Sequence, residues 1–185
     1  MKPIRIAVAG VGNCASSLLQ GLEYYRAAHA KNGQLLRGLL HPSIGPYRPS
    51  DVKVVAAFDI DARKVGKPLE TACTASPNCT TQFLKRFPRY GVTVQMGPVL
   101  DGVAPHMSQY PPEQTFVVSK AKPANIAKVL KASRAEILLN YLPVGSQRAT
   151  EAYASACLET GVSLINCIPV FIASDTKWAA KFAKR

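Results

Sequence analysis

The stretch "IRIAVAGVGNCASSLLQGLEYY", residues 4–25, decides the fold. The run Ile4–Ala9 is apolar but for Arg5 and has the length of a β-strand. Gly10 and Gly12 follow, and Leu18, Leu19, Leu22 and Tyr25 then recur at helical spacing. Within "GVGNCA", residues Gly10, Gly12 and Ala15 fit the pattern G-x-G-x-x-G/A. The first glycine permits a tight turn, the second lets backbone approach a pyrophosphate, and the small third residue lets helix pack on strand. The free amides and positive dipole end of the helix would face the anion. Asn13 and Ser16 could add side-chain hydrogen bonds there. Taken alone, the pattern also fits a plain strand-to-helix corner. Its surroundings favour the phosphate reading: a strand precedes it, a helix follows, and a second apolar run, "VVAAFDID" (54–61), ends in acids.

An acid at the tip of that second strand is expected to receive the ribose hydroxyls of an adenosine half. Asp59, first after the apolar run, is the leading candidate and Asp61 the second. Their distance from the glycines exceeds the usual ~20 residues, because a Gly/Pro-rich insertion, "AKNGQLLRGLLHPSIGPYRPSD" (30–51), intervenes. A carboxylate at the ribose favours NAD over NADP, whose extra phosphate it would repel. Arg63 and Lys64 pull the other way, and NAD remains the expected cofactor.

Further apolar runs at Val52–Phe58, Val92–Met96, Ile137–Tyr141 and Val162–Asn166 read as strands buried on both faces of a parallel sheet. Helical patterns lie between most of them. One begins near Pro123, with Ala127, Val129 and Leu130 on its apolar side, and another runs from Ser146 to a stop at Gly161. Strand and helix in alternation predict an α/β, doubly wound, mostly parallel sheet. A second long connection, "MGPVLDGVAPHMSQYPPEQTF" (96–116), is a candidate functional loop, as is the insertion at 30–51. The last residues, "SDTKWAAKFAKR", form an amphipathic helix whose Trp178 and Phe182 share a face that needs a packing partner.

Composition narrows the function classes. At 185 residues and 48% apolar, the chain can bury a real core. No run approaches the roughly 18 apolar residues of a membrane span, and the first residues lack a signal-peptide pattern. A cytoplasmic protein with no membrane partner is the expectation. Five scattered cysteines (14, 73, 79, 157 and 167) without a C-x-x-C pair read as reduced thiols, with no metal site. His29, His41 and His106 read as surface or loop residues, not ligands. The net charge of +12 is dispersed apart from "KRFPR" and "KFAKR". A solvated basic surface explains it better than nucleic acid, and no nucleic-acid partner is expected.

Five blocks, "VAGVGNCASSLLQGLEYY", "VKVVAAFDIDARKVGKPL", "VTVQMGPVLDG", "LLNYLPVGS" and "LINCIPVFIASDTKWAAKFA", run in order across almost the whole chain. Together they resemble the myo-inositol-1-phosphate synthase (inositol-3-phosphate synthase) family of bacteria and archaea, in its N-terminal portion. The resemblance implies a Rossmann-type domain over residues 1–185 holding NAD. It also implies isomerisation of glucose 6-phosphate to inositol phosphate, an early step towards inositol phospholipids, with NAD used and regenerated in each cycle. The intact family implies a homo-oligomer, a tetramer. In that family the catalytic lysines lie in a segment resembling "DDIKSQ" and beyond it, and no such segment occurs here. The expectation is therefore a truncated cofactor platform without its reaction chamber, inactive by itself. Pro68 departs from the family pattern, where several relatives carry an aspartate.

Carried over by position, Gly10, Gly12, Asn13, Cys14, Ala15 and Ser16 would hold the pyrophosphate and Asp59 the ribose. Asn140, Tyr141, Leu142 and Pro143 would line the nicotinamide side, and Asn166, Ser174 and Asp175 the substrate edge. Plainer readings stand beside these. Cys14 is a small packing residue without a base, Tyr141 strand core, Ser146 a helix N-cap, and Tyr153 helix core. Two other functions stay open: the NAD-binding domain of a different oxidoreductase, and a non-catalytic nucleotide-binding module.

Overall fold

The computed structural model describes residues 2–32 and 38–185, with residues 29–32 described by backbone alone. The readings of His29 and of positions 33–37 in the first insertion lie outside the described residues. Five strands form one all-parallel sheet: β1 (Ile4–Ala9), β2 (Val52–Asp59), β3 (Gln95–Met96), β4 (Ile137–Asn140) and β5 (Ser163–Asn166). Their spatial order is β3-β2-β1-β4-β5. The order reverses between β1 and β4, and in open α/β sheets that reversal opens a crevice beyond the carboxyl ends of the strands.

Among the described residues five α-helices connect or follow them: α1 (Asn13–Asn32), the single turn α2 (Leu69–Ala72), α3 (Ile126–Ser133), α4 (Gln147–Thr160) and α5 (Thr176–Ala183). Alternation along β1 splits the core in two. Ile6 and Val8 pack with Ala15 and Leu19 of α1, whereas Ala7 and Ala9 pack with Leu130 of α3 and Tyr153 and Cys157 of α4. The register of β2 on β1 skips Val55. That one-residue bulge lets Val54 serve the first cluster while Ala56 and Phe58 serve the second. Each large aliphatic or aromatic side chain so buried contributes about 1.5–3 kcal/mol.

Three expectations about the elements need correction. The third strand is two residues long, not five. The backbone of Val92 and Val94 pairs instead with the turn at 66–69, through Leu69 N–H to Val92 O, Gly66 N–H to Val94 O and Val94 N–H to Lys67 O. Pro123 is not in a helix. Asn125 caps α3, its side chain accepting from the Lys128 amide at 2.8 Å. Finally, β5 is not buried on both faces: it forms the sheet edge, and Ile165 is 47% exposed.

The helical stop at Gly161 is as expected, with φ +71 in the left-handed region. Trp178 and Phe182 of α5 find their partners in Ala154, Val170 and Ile172. Among the described residues no helix is long and apolar enough to cross a membrane, and no cluster of His, Cys, Asp or Glu is arranged for a metal ion. His41 and His106 are exposed.

Candidate functional site

At the carboxyl end of the sheet, the turn after β1, the tip of β2 and the segment after β4 meet around one cleft. Its walls include Gly10, Gly12, Asn13, Asp59, Ile60, Lys64, Tyr141, Leu142 and Pro143. The two glycines do different work. Gly10 has φ +92, and a Cβ there would lie 2.6 Å from the Tyr141 carbonyl oxygen, so its bareness lets β1 and β4 close together. A Cβ on Gly12 would meet nothing within 4 Å. That position is open space, and Gly12 lines the cleft at the start of α1, where an anion would sit.

The β2 tip braces this turn. Asp59 Oδ2 accepts the Val11 amide at 2.7 Å, while Oδ1 accepts the amides of Ile60 and Asp61 at 2.7 and 2.8 Å. The buried Lys64 ammonium donates to Val11 O at 2.8 Å and lies 3.9 Å from Asp59 Oδ2. Asp59 still reaches the cleft wall. Asp61, the second ribose candidate, does not serve. It is 1% exposed, and its carboxylate accepts from the Arg63 guanidinium and from the amides of Arg63 and Val117. Burial pushes that carboxyl up, but the bonds from Arg63 and Val117 outweigh it and hold it below the usual carboxylate value. Arg63 is equally committed, donating also to Pro112 O and Thr115 O at 2.7 Å each.

The connection 96–116 roofs the cleft with Leu100 and Phe116. It is tied down at both ends. Arg63 holds Pro112 and Thr115, and the Asp101 carboxylate accepts the α4 amides of Arg148 and Ala149 at 2.6 and 3.0 Å. Those amide bonds outweigh the cost of desolvation and lower the Asp101 carboxyl. Asp101 thus caps α4 from a distance of 47 residues. Ser146 occupies the N-cap position, but its hydroxyl donates backwards to Pro143 O at 2.6 Å and makes no cap bond.

The remaining expected residues fall into separate places. Cys14 is exposed in the first turn of α1. Ala15 is buried in the core, and Ser16 is buried with its Oγ unpartnered among the described residues. Asn13 Oδ1 accepts the Cys79 amide at 2.9 Å. Tyr141 is half-buried against the α1-side core and also walls the cleft, and burial raises its phenol.

Asn140 turns away from the cleft. Its Nδ2 donates to Thr150 Oγ1 and Asn166 Oδ1 at 3.1 and 2.8 Å. Asn166 in turn donates to Ile168 O and Val170 O, bracing the bend after β5. Asp175 caps α5, accepting from the amides of Lys177 and Trp178. Asn166 and Ser174 share a second hollow with Leu164 and Phe182 at the β5 edge, apart from the cleft.

Read from the sequence, Lys64 bears only on the choice between NAD and NADP, and Leu100, Asp101 and Phe116 are covered only by the candidate loop 96–116; none is singled out for the site. Ile60 leaves only a local trace, an apolar residue set between two aspartates. Tyr153 serves as helix core, buried at 2% exposure, and it also reaches the cleft wall.

No family model matches the chain. Its sequence is 47% identical to the inositol-3-phosphate synthase of Mycolicibacterium smegmatis over 179 residues, which are 97% of this chain and 47% of that protein. The inositol-3-phosphate synthases of Corynebacterium glutamicum and Mycobacterium tuberculosis are each 45% identical over the same shares. Among solved structures, the crystal structure of Ari2 superposes with a TM-score of 0.81 at 36% identity, over 98% of this chain and 51% of that one. A myo-inositol-1-phosphate synthase-related protein from Thermotoga maritima shares the fold, with a TM-score of 0.62 at 20% identity over 97% of this chain and 51% of that one. The chain spans about half the length of the curated relatives it matches. Across nearly all of its own length, this chain is therefore a relative of the inositol-3-phosphate synthases and corresponds to a portion of them.

Proposed function

We propose that residues 1–185 are the NAD-binding unit of an inositol-3-phosphate synthase acting on glucose 6-phosphate. The observation that carries this reading is the single cleft bounded by Gly12, Asp59 and Tyr141–Pro143 at the point where strand order reverses. The open space at Gly12 fits a pyrophosphate on the first turn of α1, and Asp59 fits a ribose diol. Leu142 and Pro143 fit the far half of the dinucleotide. When bound, NAD would supply a hydride acceptor and return the hydride later in the cycle. The residues of this chain bind and orient it and keep water from its apolar faces.

The chain fits NAD better than NADP. Arg63 and Lys64, the cations nearest the β2 tip, are spent on Asp61, the roof carbonyls and Val11. Neither is spare for a 2′-phosphate, and Asp59 would repel one. The same accounting supports a reaction chamber built by groups other than these residues. Lys64 is the cation on the cleft wall among the described residues, and its ammonium is bound to Val11 O. An oxyanion would lack a stabilising partner. Homo-oligomerisation and a cytoplasmic setting belong to the same proposal.

Calorimetric titration tests the reading. NAD should bind, and NADP at least about tenfold more weakly. Absence of NAD binding at millimolar concentrations overturns it. Incubation of the chain with glucose 6-phosphate and NAD should yield no inositol phosphate, and clear product would refute the placement of the catalytic groups elsewhere.

A further inference from the structure

The ring of Tyr153, on α4, meets Phe58 edge-on with centroids 5.5 Å apart, which is ordinary core packing. Its hydroxyl is not explained that way. Tyr153 is 2% exposed, its phenolic oxygen makes no hydrogen bond with any described residue, and the side chain reaches the cleft wall. The oxygen is not among the fully buried unpaired atoms, so it keeps surface on the cleft, and a phenylalanine would fill nearly the same volume. The chain also leaves room for that oxygen. A Cβ on Gly97 would lie 2.6 Å from it, and 3.7 Å from both the Asp59 carbonyl oxygen and Ile60 Cγ2. Gly97 is outside the left-handed region, so its backbone does not require glycine; the phenol tip does.

The cleft it reaches carries the apolar side chains Ile60, Leu100, Phe116 and Ala149, and the Ser146 hydroxyl on the same lining is spent on Pro143 O. Apolar walls beside a hydroxyl that has no partner in the described chain suit a heteroaromatic ring better than the sugar and phosphates assigned to Asp59 and Gly12. We infer that the Tyr153 hydroxyl recognises the purine base of the bound dinucleotide, hydrogen-bonding a ring nitrogen while the apolar walls take the faces of the ring. The inference rests on the NAD reading above and adds a specificity residue to it. Burial, reinforced by the Asp59 charge, raises the phenol, so the donor stays protonated across the physiological range.

The test compares the parent chain with Tyr153→Phe, using NAD, ADP and inorganic pyrophosphate as probes. NAD and ADP should bind the variant about 3- to 10-fold more weakly, the range expected for one neutral hydrogen bond, and pyrophosphate should be unaffected. Without ligand, the variant should melt at about the same temperature as the parent, because the hydroxyl it removes makes no hydrogen bond with a described residue. Unchanged NAD and ADP affinity overturns the role of Tyr153 while leaving NAD binding standing. A clearly lowered melting temperature marks the hydroxyl as structural and overturns it too. Failure of the parent to bind NAD or ADP overturns the dinucleotide reading and this inference with it. Gly97→Ala gives an independent check: its Cβ displaces the phenol tip and should weaken ADP but not pyrophosphate, and ADP binding at parental strength would refute the assignment.

Discussion

The amide of Val11 donates to Asp59 Oδ2 at 2.7 Å across 48 residues of sequence. Lys64 completes the clasp from the same side by donating to the Val11 carbonyl at 2.8 Å. Both backbone groups of the residue between the two glycines are therefore held by the β2 tip. The turn is shaped before any ligand arrives, and such preorganisation removes part of the ordering cost of binding.

The two glycines should separate folding from binding. Gly10→Ala forces a side chain at φ +92 and against the Tyr141 carbonyl, so it should cost roughly 2–4 kcal/mol in urea unfolding. Gly12→Ala meets no protein atom. It should unfold within about 1 kcal/mol of the parent yet lose most NAD affinity, because its Cβ occupies the space proposed for the pyrophosphate. Equal effects of the two changes on stability would contradict this division.

Asp59→Ala should weaken both the fold and the cofactor complex. Removing the carboxylate orphans the amides of Val11, Ile60 and Asp61 and leaves Lys64 without its neighbour. A loss of about 2–4 kcal/mol of stability is expected, with weaker NAD binding under conditions where the variant stays folded. An unchanged NAD titration would remove Asp59 from the site.

Acid should loosen the roof through Asp61. Its folded carboxyl lies below the unfolded value of 3.8, so the unfolded chain takes up the proton first. The stabilisation is complete above that value and is lost as pH falls through the lower, folded value. The melting temperature of the parent should thus drop on acidification below about pH 4, and less steeply in Asp61→Asn, which starts from a lower stability. Parallel profiles for the two proteins would exclude Asp61 as a contributor.

Thiol labelling should report occupancy of the turn. Burial pushes Cys73 up to about 11 and Cys157 up to about 12, so neither should react quickly near neutral pH. Cys14, Cys79 and Cys167 are exposed. Mass spectrometry after brief N-ethylmaleimide treatment should find these three modified, with NAD protecting Cys14 most. Protection of none, at saturating NAD, would place the pyrophosphate elsewhere.

Much of the framework is legible in the sequence. Strands β1, β2 and β4, helices α1 and α4, and the stop at Gly161 are written in apolar runs of strand length, in the 3.6-residue periodicity and in cap residues, which act over a few positions. The glycine turn and Asp59 belong to that class. Elements failed where a distant segment competed for the same backbone: Val92 and Val94 look like strand but pair with residues 66–69. Ser146 looks like a side-chain cap, but the α4 amides go to Asp101.

The sequence alone therefore determined the doubly wound order of elements and the bend at Gly10–Gly12, because hydrophobic spacing and a missing Cβ act locally. Only the tertiary structure decided which polar groups remain available. Asp61 and Arg63 are spent on each other and the roof, Asn140 on Asn166, and Lys64 on Val11, while the Tyr153 hydroxyl is left over. Whether a buried charge or hydroxyl faces a ligand depends on which partners folding brings within about 3 Å. Those partners lie anywhere from two to more than fifty residues away.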